Sequence, residues 1–94
     1  MLKAGMALII HGPLDFAVGV IEAVSSTHIK LAPGCVTMRD IWNYSQLVAT
    51  GKPGSTRYCS CPEGYICPQI HATGFTLLPQ YDPADWPMLE TNKD

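Results

Sequence analysis

One stretch alone in this chain has the makings of a helix, and it is short. Ser45 can accept a backbone hydrogen bond as N-cap, Leu47 and Val48 offer an apolar face, and Gly51 can end the turn in a left-handed conformation. These signals predict a helix of about a turn and a half. Such an element is marginal alone in water and must be held by packing. Everything around it reads as strand, so the chain is confined to a mainly β (α+β) fold.

Residues 6–11 read as a first strand, Gly12, Pro13 and Asp15 as a turn, and residues 16–24 as the longest strand, the two strands forming a hairpin. Residues 27–32 alternate polar and apolar, which turns Ile29 and Leu31 to the core and leaves His28 as a solvated strand residue. Pro33-Gly34 makes a turn, and residues 51–55 form a connection rich in glycine and proline. Strands follow over 56–60, over 65–71 with an interruption at Pro68, and over 73–78 before Pro79. The expected architecture is a small antiparallel sheet or partial barrel crossed by one short helix, in a single β-rich domain over 1–79. Residues 80–94 form a C-terminal tail whose Trp86 docks on that domain or on a neighbouring subunit.

With 94 residues, 47% of them hydrophobic and 15% charged, the chain has room for one lightly charged domain and no second. A domain of this size buries only about 60–65% of the surface it exposes when unfolded, so self-association into a homo-oligomer would stabilise it. The net charge of −2 argues against general attraction to duplex DNA or to an anionic membrane. Its distribution is uneven. Residues 28–58 carry Lys30, Arg39, Lys52 and Arg57 against Asp40 alone, whereas residues 59–94 are acidic. The middle of the chain can attract a small anion, although four scattered cations also serve simply to solubilise strand edges. The apolar run near the start ends after about five residues, too short for a signal-peptide core or a membrane span. A cytoplasmic setting with reduced cysteines and no membrane partner is the resulting expectation.

Four segments, taken in order, carry a resemblance: Gly19-Val20-Ile21-Glu22; Ile29-Lys30-Leu31; Arg39 to Ser45 with Leu47 and Ala49; and Phe75 to Pro79. Across roughly residues 16–86 the chain resembles a family of small uncharacterised bacteriophage and prophage proteins. That family runs strand, strand, an arginine and aromatic segment leading into Ser-Leu-x-x-Leu-Ala, then late strands ending near proline. The chain departs from it in having Asn43-Tyr44 where small residues tend to follow the tryptophan, and in the cysteine-rich stretch at 59–67. The resemblance implies a phage accessory protein and no particular chemistry. By analogy, such proteins serve as virion parts or as anti-defence inhibitors, some of which sequester nucleotide signals in oligomeric pockets.

Two constellations have chemical content. Cys59, Cys61 and Cys67 with His71, joined by Cys35 or another histidine, offer thiolate and imidazole ligands suited to Zn²⁺. Their spacing departs from the paired Cys-x₂₋₄-Cys knuckles of structural zinc sites, so free buried thiols are the plainer reading, and two disulfides a third. Arg39, Trp42, Tyr44, Arg57 and Tyr58 form the second constellation, in which guanidinium groups meet phosphate and aromatic faces stack on a base. Core or interface packing of the same aromatics is the competing use. No catalytic signature is present: no cysteine has a placed base, and Lys52-Pro53-Gly54-Ser55 lacks the backbone donor that a phosphate loop needs.

The leading expectation is a non-enzymatic protein without a cofactor that oligomerises and binds a small anionic ligand, such as a nucleotide signal, in a pocket built partly from residues 39–58. A structural or protein-interaction module such as a virion component is the rival, and a zinc-stabilised domain the third reading.

Overall fold

The computed structural model describes residues 1–88. Its strands are β1 (Ala7–His11), β2 (Phe16–Val24), β3 (His28–Leu31), β4 (Cys35–Met38), β5 (Cys59–Cys61), β6 (Tyr65–Pro68) and β7 (Gly74–Leu77). One helix, α1 (Tyr44–Thr50), separates β4 from β5, and single 3-10 turns occupy Gln69–His71 and Pro83–Asp85. All strand pairs are antiparallel, and the seven strands form one open sheet. The expected mainly β class with one short helix is what the described residues adopt. Among the described residues no helix is long and apolar enough to cross a membrane.

The sheet is organised around β2, whose register against β3 shifts between Ile21 and Ala23. Its first half pairs with β4, Val18 opposite Val36, and its second half with β3, Ile21 opposite Leu31. The main path is therefore β5-β4-β2-β1-β7, with β3 and then β6 branching from the far end of β2. Period-2 alternation splits the core into two layers. Leu8, Ile10, Ala17, Ile21, Ile29, Leu31, Cys35 and Cys67 fill one. On the opposite side Ile9, Val18, Val36 and Met38 pack against Leu47 of α1 and against Leu78, Tyr81 and Trp86. Helix and C-terminal segment thus cover the second face together. Where β2 passes β4 the approach is close: a Cβ on Gly19 would lie 2.6 Å from that of Cys35.

Several local expectations are corrected. The helix begins earlier than Ser45 implies, because Asn43 is its cap, with Oδ1 accepting the Gln46 N–H at 3.1 Å. Gly51 does end it in the left-handed region, at φ 73°, its N–H donating to the Leu47 carbonyl at 2.8 Å. Residues 35–38 form a strand where the sequence reading has only a connection. The strand expected over 56–60 shrinks to Cys59–Cys61, since Thr56 lies in the preceding loop, and the one expected over 65–71 gives way after Pro68 to a 3-10 turn. Trp86 is 3% exposed, and its indole N–H donates to the Gly51 carbonyl at 3.0 Å. Residues 89–94 of the expected tail lie outside the described residues.

Candidate functional site

Because β4 and β5 are neighbours, with Thr37 opposite Cys59, the chain leaving β4 runs beside the chain entering β5. Two irregular segments meet there, residues 39–42 and residues 55–59. The second is shaped by the turn that closes with Thr56 N–H on the Pro53 carbonyl at 3.0 Å. The buried Thr56 hydroxyl, in a residue only 6% exposed, then accepts the backbone N–H of Trp42 at 3.2 Å. This bond fixes the separation of the two segments. Between them lies an open cleft of about 480 Å³, walled by Arg39, Asp40 and Trp42 on one side and by Ser55, Arg57, Tyr58 and Cys59 on the other.

Four of the five residues of the arginine–aromatic constellation therefore come together: Arg39, Trp42, Arg57 and Tyr58. The arginines are exposed, and Trp42 is 76% exposed although it is among the largest apolar side chains in the chain. Tyr58 is more constrained. Its hydroxyl donates to the Pro87 carbonyl at 2.7 Å, and its ring meets Trp86 edge-on at 5.1 Å. Burial pushes its phenol pKa up, which keeps the hydroxyl a neutral donor. The lining carries two guanidinium groups against one carboxylate, Asp40. Among the described residues the one ion pair is elsewhere, Lys30 with Glu22 at 3.5 Å.

Tyr44 is not part of the cleft. The helix starts with it and turns it away, so its hydroxyl lies 2.6 Å from Thr76 Oγ1 and 3.1 Å from His11 Nε2, which are themselves 2.8 Å apart. This three-residue cluster pins the start of α1 to β1 and β7. Sequence reading missed it, and no local signal reveals it, since its members are 32 to 65 residues apart.

The cysteines are all free thiols. Cys59 faces the cleft, Cys61 is half-buried, and Cys67 is buried with its thiol donating to the Pro68 carbonyl at 3.4 Å. Cys67 and His71 share a separate, smaller cavity of about 190 Å³ with Asp15 and Tyr65. Burial, and secondarily the Asp15 carboxylate, raises the Cys67 pKa and so disfavours the thiolate a metal needs. Among the described residues no three His, Cys, Asp or Glu side chains converge as a metal site would require. The residues expected to hold zinc therefore do not fit it.

What the cleft offers is cations and an exposed indole beside a fixed phenol. Guanidinium groups can pair with anions and aromatic faces can stack on planar rings, so this is the chemistry the lining makes available. No protein-family model matches the chain, and no curated protein or solved structure is significantly similar to it.

Proposed function

We propose that this protein is a non-enzymatic binding protein that takes a small anionic ligand with a planar ring, a nucleotide above all, in the cleft between residues 39–42 and 55–59. The observation that carries this reading is the joining of Arg39, Trp42, Arg57 and Tyr58 around one cleft of about 480 Å³. That volume lies within the roughly 300–1,000 Å³ usual for small-molecule sites. The guanidinium groups would engage phosphate oxygens and Trp42 would stack on the base. An exposed tryptophan leaves water only on meeting a partner, and a base stacked in the cleft would be such a partner. In the phage setting that the resemblance implies, binding without turnover would sequester a nucleotide signal of host defence in the host cytoplasm.

Self-association belongs to the same proposal, and an edge of the sheet favours it. Strand β7 is terminal in the sheet, carries no charge, and leaves Phe75 40% and Leu77 53% exposed. Leu78 N–H donates to the Ala7 carbonyl at 2.9 Å, so by antiparallel alternation the main-chain groups of Thr76 face β1 and those of Phe75 and Leu77 face outward. A two-fold axis at Thr76 would set Phe75 of one copy opposite Leu77 of the other, pairing free backbone groups and apolar side chains at once. The cleft lies toward the β5 end of the sheet, so such a dimer would leave it open. The residues that wall the cleft all come from one chain.

The same edge supports the second reading, a structural or protein-interaction module in which β7 receives a strand of a larger partner. Native mass spectrometry of the full chain, alone and with nucleoside monophosphates, separates the two. The ligand reading expects a bound nucleotide that the Arg39→Ala, Arg57→Ala variant loses, and a dimer that Leu77→Lys dissociates without affecting nucleotide binding. A bare wild-type chain at saturating nucleotide contradicts it and favours the interaction module.

A further inference from the structure

Antiparallel pairing of β4 with β5 sets Cys35 directly opposite Cys61. Directly opposed residues of such a pair have Cα atoms about 4.5–5.5 Å apart, within the roughly 4.4–6.8 Å that a disulfide spans. The Cys35 sulfur is turned toward β5, 4.0 Å from the carbonyl oxygen of Cys61. On its other side β2 presents only Gly19, where a Cβ would lie 2.6 Å from that of Cys35. Cys35 is thus held between a glycine and a second thiol. It is 1% exposed, while Cys61 is partly open to solvent at the edge of the sheet.

We propose that Cys35 and Cys61 are a reversible redox pair, closing to a cross-strand disulfide that clamps the edge strand β5 to β4. Among the other thiols, Cys59 stands opposite Thr37 and Cys67 opposite Ile29, so neither faces a sulfur across its strand pair. Cys59 and Cys61 are two apart on one extended strand, and joining them would distort it. The oxidant is a small-molecule disulfide such as oxidised glutathione. The Cys61 thiolate attacks one of its sulfurs and releases a first glutathione thiolate, leaving a mixed disulfide on Cys61. Cys35 then gives up its proton, attacks the Cys61 sulfur, and expels the second. Two protein thiols are oxidised, one glutathione disulfide is reduced to two thiols, and the two protons pass to the leaving thiolates.

The division of labour follows from burial. Cys35 is 1% exposed and opposite Cys61, and removal from water pushes its pKa up to about 12, with the neighbouring Cys61 sulfur adding to the rise; it is therefore poorly placed to meet a soluble oxidant but adjacent to any mixed disulfide on Cys61. Cys61 is the residue a soluble oxidant can reach. The consequence falls on the cleft, because β5 begins at Cys59, which lines it directly after Arg57 and Tyr58. Closing the pair would hold that wall in place. The disulfide itself requires no ligand, so this inference stands or falls separately from the proposed function.

The test is a titration of the full chain in glutathione redox buffers, quenched with acid, alkylated and mapped by peptide mass. The expected result is one internal disulfide joining the peptides that contain Cys35 and Cys61, reopened by dithiothreitol, with a melting temperature about 10 °C higher in the oxidised form. Cys61→Ser should fold and leave Cys35 a free thiol in every buffer, fully alkylated once the quenched protein is unfolded in denaturant. A Cys35 that remains a free thiol while Cys61 carries glutathione would overturn the proposal, as would a bridge involving Cys59 or Cys67.

Discussion

The backbone N–H of Trp42 donates to the hydroxyl oxygen of Thr56 at 3.2 Å, and through that bond the two walls of the cleft are held at a fixed spacing. Thr56 is the one buried polar residue among those described, so its hydroxyl is placed to make this contact. Thr56→Val keeps the shape and removes the acceptor. It should cost about 1–2 kcal/mol, because a partly buried N–H is left without its partner, and should weaken nucleotide binding as the walls loosen. Thr56→Ser should retain most of both. Urea unfolding and isothermal titration of the two variants check this.

Gly51 and Gly54 have positive φ, 73° and 58°, yet they should respond differently to alanine. A Cβ at Gly51 would run into the backbone carbonyl oxygen of Gln80, whereas at Gly54 it would meet the end of the flexible Gln46 side chain at 3.1 Å. Gly54→Ala should therefore cost about 1 kcal/mol, from backbone conformation alone. Gly51→Ala should cost at least ~3 kcal/mol, since the C-terminal segment must move off the helix. Denaturant midpoints of the two proteins give the comparison.

Removing residues 80–94 should unfold or nearly unfold the domain, because Tyr81 and Trp86 belong to the core layer beneath α1. Truncating a buried tryptophan alone costs about 3–5 kcal/mol, comparable to the whole stability of a small domain. Trp86→Phe should be milder, giving up the bond to the Gly51 carbonyl and part of the Tyr58 contact. Circular dichroism melts of the truncated and point-substituted chains report the outcome. A truncated chain that melts like the full one would contradict it.

Alkaline pH should destabilise the reduced protein in a defined window. Burial raises the Cys35 pKa from 9.0 to about 12, and raises that of Tyr81, whose hydroxyl donates to the Gly34 carbonyl at 2.6 Å. A group with a raised folded-state pKa contributes its stability fully below the unfolded value and loses it as pH climbs toward the folded one. Stability should hold up to about pH 9 and fall between there and about pH 12. In Cys35→Ala the same series should show a shallower decline.

Much of the sheet could be read from the sequence because alternation survives where one face is buried and the other is not. Ile29 and Leu31 are buried as the pattern requires, while His28 is exposed. Strand β4 escaped because Cys35, Val36 and Met38 are buried on both faces of the sheet, which erases alternation in so short a run. Asn43 and Ser45 are equally good caps by chemistry, so residue type alone could not choose between them; in the fold it is Asn43 Oδ1 that accepts the Gln46 N–H. The residue types of the cleft were legible, but its membership was not wholly so. Trp42 and Tyr44 share a face only while the chain is extended, and the helix begins between them. The docking of Trp86 against Gly51 is a contact across 35 residues, which no local pattern encodes.

The most direct measurement is isothermal titration of nucleoside monophosphates into the wild-type protein and into the Arg39→Ala, Arg57→Ala variant, with melting temperatures recorded for both. Saturable binding by the wild type, weakened about 100-fold or more in a variant that melts at the same temperature, is the predicted result, as loss of two charge-assisted phosphate contacts should cost about 3 kcal/mol or more. Absence of binding to the wild type, or equal binding by the two proteins, would contradict the assignment of the cleft as an anion site.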